Sequence, residues 1–239
     1  MAACRVEVVA STVEDVLAAA AGGADRVEFC TNLSSGGLTP GRSLIVQAFG
    51  AAKENELGFR VLIRPREGDF VYTPIERQAI VAEAEAVLSL GVDKVVCGGL
   101  LANGTVDLDL LTALDRTVGI DKVVFHRALD EAIHHAEARR QLRAAGVRTV
   151  LTSGGRRQAA EGLSAIEETV QSGLEVVAGA GVQPVQVVDF VRVGVEAVHA
   201  SCRVPCCAPE GRLFDAARTR VDETKVRALV EAVRAVARP

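Results

Sequence analysis

Short runs of β-branched residues alternate along this chain with longer stretches rich in Ala, Leu and Glu. Eight of the short runs have the length of buried strands: residues 5–9 (RVEVV), 26–30 (RVEFC), 59–63, 94–97, 122–126, 149–152, 175–178 and 197–200. Val and Ile pack well on a pleated surface, so such runs between turn residues predict strands. The intervening stretches carry apolar residues at helical spacing, for example VEDVLAAAA at 13–21, PIERQAIVAEAEAVLSLG at 74–91, EAIHHAEARRQLRAAG at 131–146, SAIEETVQSG at 164–173 and DETKVRALVEAVRAVA at 222–237. Four segments share one phrase: GADRVEFC from Gly23, GVDKVVCGG from Gly91, GVRTVLTSGG from Gly146 and GVEAVHASC from Gly194. Each reads as a helix closed by Gly, a tight turn and a strand. The strands at 5–9, 59–63, 122–125 and 175–178 lack that lead-in.

Strict alternation of eight strands with eight helices predicts a single (β/α)8 TIM barrel rather than an open doubly wound sheet. No Gly/Ser/Pro-rich linker interrupts the chain, so residues 1–239 are expected to form one barrel domain. Composition agrees: 49% of residues are hydrophobic but only 3% are aromatic, which gives a core of Val, Leu, Ile and Ala suited to strands covered by helices. The net charge of −4 and the lack of a long Lys/Arg run argue against nucleic acid or an anionic membrane as partner. Apolar runs fall short of a membrane span and the N-terminus lacks a secretory pattern, so a soluble, cytoplasmic protein with six reduced cysteines is expected.

The long connections are informative. TNLSSGGLTPG (31–41), RPREGDFVYTP (64–74) and SCRVPCCAPEGRLFDAARTRV (201–221) all follow strands, on the face where barrels build their sites. Side chains alternate along a strand. If Val27 and Phe29 face the helices, Glu28 and Cys30 face inward, and the same parity sends Glu7, Arg64, His126 and His199 toward one pocket mouth. A carboxylate inside a barrel needs partners, and Arg64 and the two histidines are the candidates for Glu7 and Glu28. The alternative is an ion network that only fills the barrel. Glu7, Arg127 and Asp130 are further candidates for binding the ligand, although Arg127 has the opposite parity and Asp130 sits where it could instead cap the fifth helix.

The turns Thr152-Ser153-Gly154-Gly155 and Gly179-Ala180-Gly181-Val182 follow strands six and seven, where small residues let backbone N–H groups face an anion. A ligand near Ser153, Gly154, Gly179 and Gly181 is therefore expected. Cys4 and Cys97 read as inert apolar residues, and His134 and His135 as surface residues within a helix. Cys202, Cys206 and Cys207 follow His199 closely, and thiolates with an imidazole can hold Cu(I) or zinc. Lys94 and Lys122 begin strands rather than end them, which disfavours Schiff-base chemistry.

GADRVEFC, GGLTPG (36–41), IRPREGDFVY (63–72), FHRALDEA (125–132), RTVLTSGG (148–155) and AGAGV (178–182) together resemble the motifs of the CutC copper homeostasis family, in the family's order. The resemblance implies a (β/α)8 barrel, cytosolic location, self-association as a homo-oligomer and copper homeostasis by binding copper(I) through cysteine. Cys30, in the position of the family's Glu-x-Cys, inherits the metal-binding expectation. Relatives often carry cysteines on strand one, where this chain has Val8-Val9-Ala10. Beside copper handling stands a second expectation from the residues themselves. It is an enzyme acting on a small anionic or phosphorylated molecule, with Arg64 and the Gly-rich turns holding the anion, His126 acting as general acid or base tuned by Glu28, and His199 assisting.

Overall fold

The computed structural model describes residues 4–206 and 218–237. In chain order they form β1 (Arg5–Ala10), α1 (Val13–Ala21), β2 (Arg26–Phe29), α2 (Arg42–Glu54), β3 (Gly58–Leu62), α3 (Pro74–Leu88), β4 (Lys94–Cys97), α4 (Leu108–Val118) and β5 (Val123–Phe125). There follow α5 (His135–Ala144), β6 (Thr149–Thr152), α6 (Leu163–Gln171), β7 (Glu175–Gly179), α7 (Val187–Val193), β8 (Ala197–Ala200) and α8 (Glu223–Ala237). The eight strands pair in sequence order, all parallel, and β8 closes on β1. This is the expected (β/α)8 barrel. The connection after β8 adds a short antiparallel pair, β9 (Arg203–Pro205) with β10 (Thr219–Val221). Among the described residues no helix is long and apolar enough to cross a membrane.

Local chemistry sets the helix ends. The Thr12 hydroxyl accepts from the Asp15 N–H to start α1, and Thr73 with Glu76 makes a reciprocal capping box ahead of Pro74 in α3. Gly23, Gly91, Gly146 and Gly194 all sit at φ between 83° and 89°, the left-handed turn that their shared phrase predicted. Two strands expected to lack this lead-in have a counterpart: Gly173 (φ 88°) precedes β7, and Glu56 (φ 54°) precedes β3. The fifth helix starts later than its pattern suggested. A 3-10 turn covers Arg127–Glu131, and α5 begins at His135 with His134 as its N-cap, so neither histidine is within a helix interior.

Strand parity divides the core into two shells. Phe29, Phe59, Phe125 and Phe190 are fully buried between sheet and helices, with Phe29 and Phe59 stacked at 5.5 Å. Each such side chain contributes roughly 2 kcal/mol of burial free energy. Cys97 belongs to this outer shell. Inside the barrel, Val9, Cys30, Leu62, Val96 and Val124 form one apolar cluster, and Leu151, Val177 and Ala197 another. Buried ionisable inward side chains concentrate on β8, β1, β2 and β3, where Glu7, Arg26, Glu28, Arg60 and His199 interrupt the apolar lining.

Candidate active site

Register explains the floor of the site. Glu7 on β1 lies opposite both Arg26 on β2 and His199 on β8. All point inward, so their side chains meet. Oε2 of Glu7 accepts from Nε of Arg26 and from Arg60 at 3.0 Å, and Oε1 meets Nδ1 of His199 at 2.8 Å. Arg26 reaches on to Glu196 with two further bonds, at 2.9 and 2.7 Å. Burial alone would raise the Glu7 carboxyl, but the two guanidinium groups hold it well below the ordinary range. A carboxylate only accepts, so His199 donates from Nδ1. Although burial opposes a charge on this imidazole, the bond to Glu7 raises its pKa. For Glu7 the ion-network alternative therefore holds. Its partners are Arg26 and Arg60 with His199, not Arg64, and it lies one layer below the cavity rather than in its wall.

Above this floor a cavity of about 360 Å3 opens at the C-terminal ends of the strands, lined by Glu28, Cys30, Arg64, His126, Arg127 and His199 among others. Apolar side chains, notably Val9, Leu62 and Leu151, make up the rest of its lower wall. Four of the five residues expected at the mouth are brought together here. Glu28 is 5% exposed and its Oε2 has no hydrogen-bond partner among the described residues. Burial raises its carboxyl to about 7, against the pull of His199.

The two loops after β2 and β3 fix Arg64. Its Nη1 donates to the carbonyls of Ser35 (2.8 Å) and Gly37 (3.2 Å), and Nη2 to that of Gly68 (2.6 Å). Gly36 and Gly37 are needed for this approach: both have φ near 90°, and a Cβ on Gly37 would come within 2.8 Å of Leu62. The guanidinium stands 4.9 Å over the Phe70 ring, whose centroid lies 4.7 Å from that of His126. Arg64 is 6% exposed, forms no ion pair among the described residues, and leaves Nε without a partner. His126 accepts at Nδ1 from the Ala128 N–H (3.3 Å), which puts its hydrogen on Nε2, and that atom too is buried and unpartnered. Burial, with Arg64 close by, lowers the imidazole to about 3, so it is neutral at physiological pH.

The glycine turn after β6 is not open to a ligand. Its N–H groups at Ser153 and Gly155 point at the Asp130 carboxylate, each at 3.0 Å, and the Thr152 and Ser153 hydroxyls donate to the same group. Asp130 is an internal anion in the nest predicted for an external one, and it does not cap α5. Gly154 serves packing, since a Cβ there would lie 2.3 Å from the Gly162 carbonyl. Arg127, despite its parity, lines the cavity from the turn after β5, paired to Asp130 at 2.8 Å. At the end of β7, Gly179 makes room for Leu151, which a Cβ would meet at 2.8 Å, and for the His199 ring, while Ala180 and Gly181 form part of the cavity wall. Arg26 and Arg60 were missed as site-building residues. The signal was present, because Arg26 stands two before Glu28 and Arg60 two before Leu62.

Among the described residues no cysteine joins a group of three potential metal ligands. Cys30 is 1% exposed in the cavity wall, and burial beside Glu28 raises its thiol far above the ordinary range. Cys202 lines a separate cavity between the loops after β7 and β8 and α8, Cys206 ends the β9 segment, and Cys207 lies outside the described residues. Glu7, Glu28 and His199 bring ligand atoms within 4.8 Å of one another. Oε2 of Glu7 is already taken by two guanidinium groups, whose charge opposes a further cation, and Oε1 by His199. That donor set is also hard, unlike the thiolates that suit Cu(I).

A sequence profile of the CutC family matches residues 4–204. The chain is 38% identical to the family protein CutC of Xanthomonas campestris over 239 residues, 95% of this chain and 97% of that one. It is also 38% identical to the CutC of Xylella fastidiosa over 202 residues, 83% of this chain and 74% of the relative. Among solved structures, CutC from Streptococcus agalactiae, a protein assigned provisionally to copper homeostasis, superimposes with a TM-score of 0.76 at 28% identity. The match covers 83% of this chain and 98% of that one. KGPDC from Streptococcus mutans, at 14% identity and a TM-score of 0.64, covers 98% of this chain and 99% of that one, and shares the fold alone.

Proposed function

The chain belongs to the CutC family, and for this member we propose that the C-terminal mouth of the barrel is the active site of an enzyme acting on a small anionic molecule. The observation that carries this reading is Arg64. A guanidinium taken out of water without a counter-ion is costly, and three carbonyls orient it without neutralising it. A substrate carboxylate or phosphate at Nε, with Arg127 at the rim, supplies the missing charge. Glu28, held near neutrality, exchanges protons with the bound molecule, and His126 offers a neutral N–H.

The test is isothermal titration with inorganic phosphate, glycerol 3-phosphate and glycerate. Wild type is expected to bind at least one of them. Arg64→Met should weaken binding by at least about tenfold, the usual result of truncating one partner of a buried charge pair. Arg127→Ala, at the exposed rim, should weaken it less. Wild type that binds none of the three, or variants that bind as well as wild type, would overturn the reading.

Copper handling, implied by the family resemblance, keeps one specific observation: Cys30 lines the same cavity as His126 and His199. No other cysteine among the described residues is in that wall, and two-coordinate Cu(I) prefers a pair of soft ligands. Anaerobic Cu(I) titration against a competing chelator, with wild type and Cys30→Ser, decides this reading. Tight binding abolished by the substitution would favour copper as the cargo.

A further inference from the structure

Among the described residues of the cavity wall, three buried side-chain atoms lack a hydrogen-bond partner: Oε2 of Glu28, Nε2 of His126 and Nε of Arg64. They are an acceptor, a neutral donor and a cationic donor, and they come from β2 and from the ends of β5 and β3. Each costs free energy as it stands, so a bound molecule that satisfies all three is strongly selected. Such a molecule presents an anion to Arg64, a carbonyl oxygen to His126 and an acidic hydrogen to Glu28. A hydroxyl on the carbon next to that carbonyl meets the last requirement, and it brings that carbon's acidic hydrogen to the same carboxylate.

We propose that this cavity catalyses proton transfer between adjacent carbons of a small 2-hydroxy aldehyde or ketone bearing a phosphate or carboxylate, with Glu28 as the base and the His126 Nε2–H as the carbonyl donor. This rests on the anion-binding reading above and names its substrate class. The ionised Glu28 carboxylate takes the hydrogen from the hydroxyl-bearing carbon. The C–H electron pair becomes a C=C bond, and the carbonyl π pair moves to oxygen, where the Nε2–H of His126 stabilises it. Glu28 returns the proton to the former carbonyl carbon. Nε2 of His126 gives its proton to one oxygen and takes the hydroxyl proton of the other. One carbon is oxidised and its neighbour reduced, so no external oxidant or reductant enters.

The surroundings suit this chemistry. Val9, Leu62 and Leu151 give the cavity that Glu28 lines an apolar wall, and Glu28 is 5% exposed. The bond from the Ala128 N–H to Nδ1 fixes the His126 tautomer, so the ring presents N–H rather than a lone pair to the substrate. Among the described residues the cavity wall contains no lysine, which leaves proton transfer rather than imine formation as the chemistry of its own side chains.

The experiment is proton NMR in D2O with wild-type protein and three probes: dihydroxyacetone phosphate, ribulose 5-phosphate and 2-hydroxy-3-oxopropanoate. Binding is followed in parallel by titration. Wild type is expected to exchange deuterium into carbon next to the carbonyl of at least one probe. Glu28→Gln should lose at least about 100-fold in exchange while binding the probe within about threefold of wild type. His126→Gln should lose exchange by a similar or smaller factor. Binding without exchange for all three probes, or exchange retained by Glu28→Gln, overturns the proposed chemistry and leaves the anion site standing. No binding by wild type overturns the anion site itself.

Discussion

The floor and the mouth of the barrel are built from the same residue types and behave in opposite ways. On the floor, Glu7, Arg26, Arg60 and Glu196 answer one another with ion pairs of 2.7 to 3.0 Å and a still shorter contact between Arg26 and Glu7. One layer above, Glu28, Arg64 and His126 are as deeply buried, yet each leaves a polar atom without a partner. A buried charge network that closes on itself is a structural filling. One left open, at the end of the barrel where the loops gather, is a site waiting for a ligand. The contrast is sharpest between the two carboxylates: Glu7 is held ionised by guanidinium groups, whereas Glu28, two residues along the inward face of the next strand, is pushed toward neutrality by its dry surroundings.

Breaking the floor should cost the most stability. Glu7→Gln leaves Arg60 buried without a counter-ion and removes one of two from Arg26, and a loss of about 3–5 kcal/mol in urea unfolding is expected. A loss below 1 kcal/mol would mean that the network is not what holds this end of the barrel. Asp130→Asn should cost less, about 1–3 kcal/mol. An amide cannot accept all the N–H and O–H groups that converge there, and Arg127 loses its ion pair. Unfolding at neutral pH checks it.

At the mouth the sign reverses. The Glu28 carboxyl is raised to about 7 in the folded protein, so between its ordinary value and 7 the folded state holds a proton that the unfolded chain has released. Its contribution is fully present at low pH and is lost as pH rises toward 7. Glu28→Gln, which cannot ionise, should match wild type near pH 4.5 and melt on the order of 5 °C higher at pH 8. An equal melting temperature at both pH values would remove the distinction between the two carboxylates. His126 runs the other way: lowered to about 3, it contributes stability above its ordinary value that disappears as pH falls from there toward 3. His126→Gln should therefore flatten the acid limb of the stability profile.

Much of this contrast was legible in the sequence. β-branched runs and the Gly-led phrase located all eight strands to within about two residues, because period and turn chemistry are local properties. Parity then placed Glu28, Arg64, His126 and His199 correctly, since alternation along a strand is also local. It placed Glu7 on the right face but in the wrong layer. Depth depends on the stagger between strands, which sets Glu7 opposite Arg26 and His199, and no single strand encodes that. Arg26 and Arg60 were legible by the same parity, but Arg26 begins its strand, where a charge reads as a boundary, and Arg60 stands in the middle of β3 with its partner on another strand. The Asp130 plug was not legible: the 3-10 turn after β5 carries its carboxylate across to a loop 22 to 25 residues away. Nothing in the local pattern of either segment marks that contact.

The most direct measurement of the difference between floor and mouth is a 13C NMR titration of the glutamate side-chain carboxyls, with Glu7 and Glu28 assigned through conservative substitutions. Glu28 is expected to titrate near 7 and Glu7 to stay ionised well below the ordinary glutamate range. A Glu28 that titrates in the ordinary range, together with Glu7, would contradict the account, because the mouth would then hold an answered charge like those beneath it.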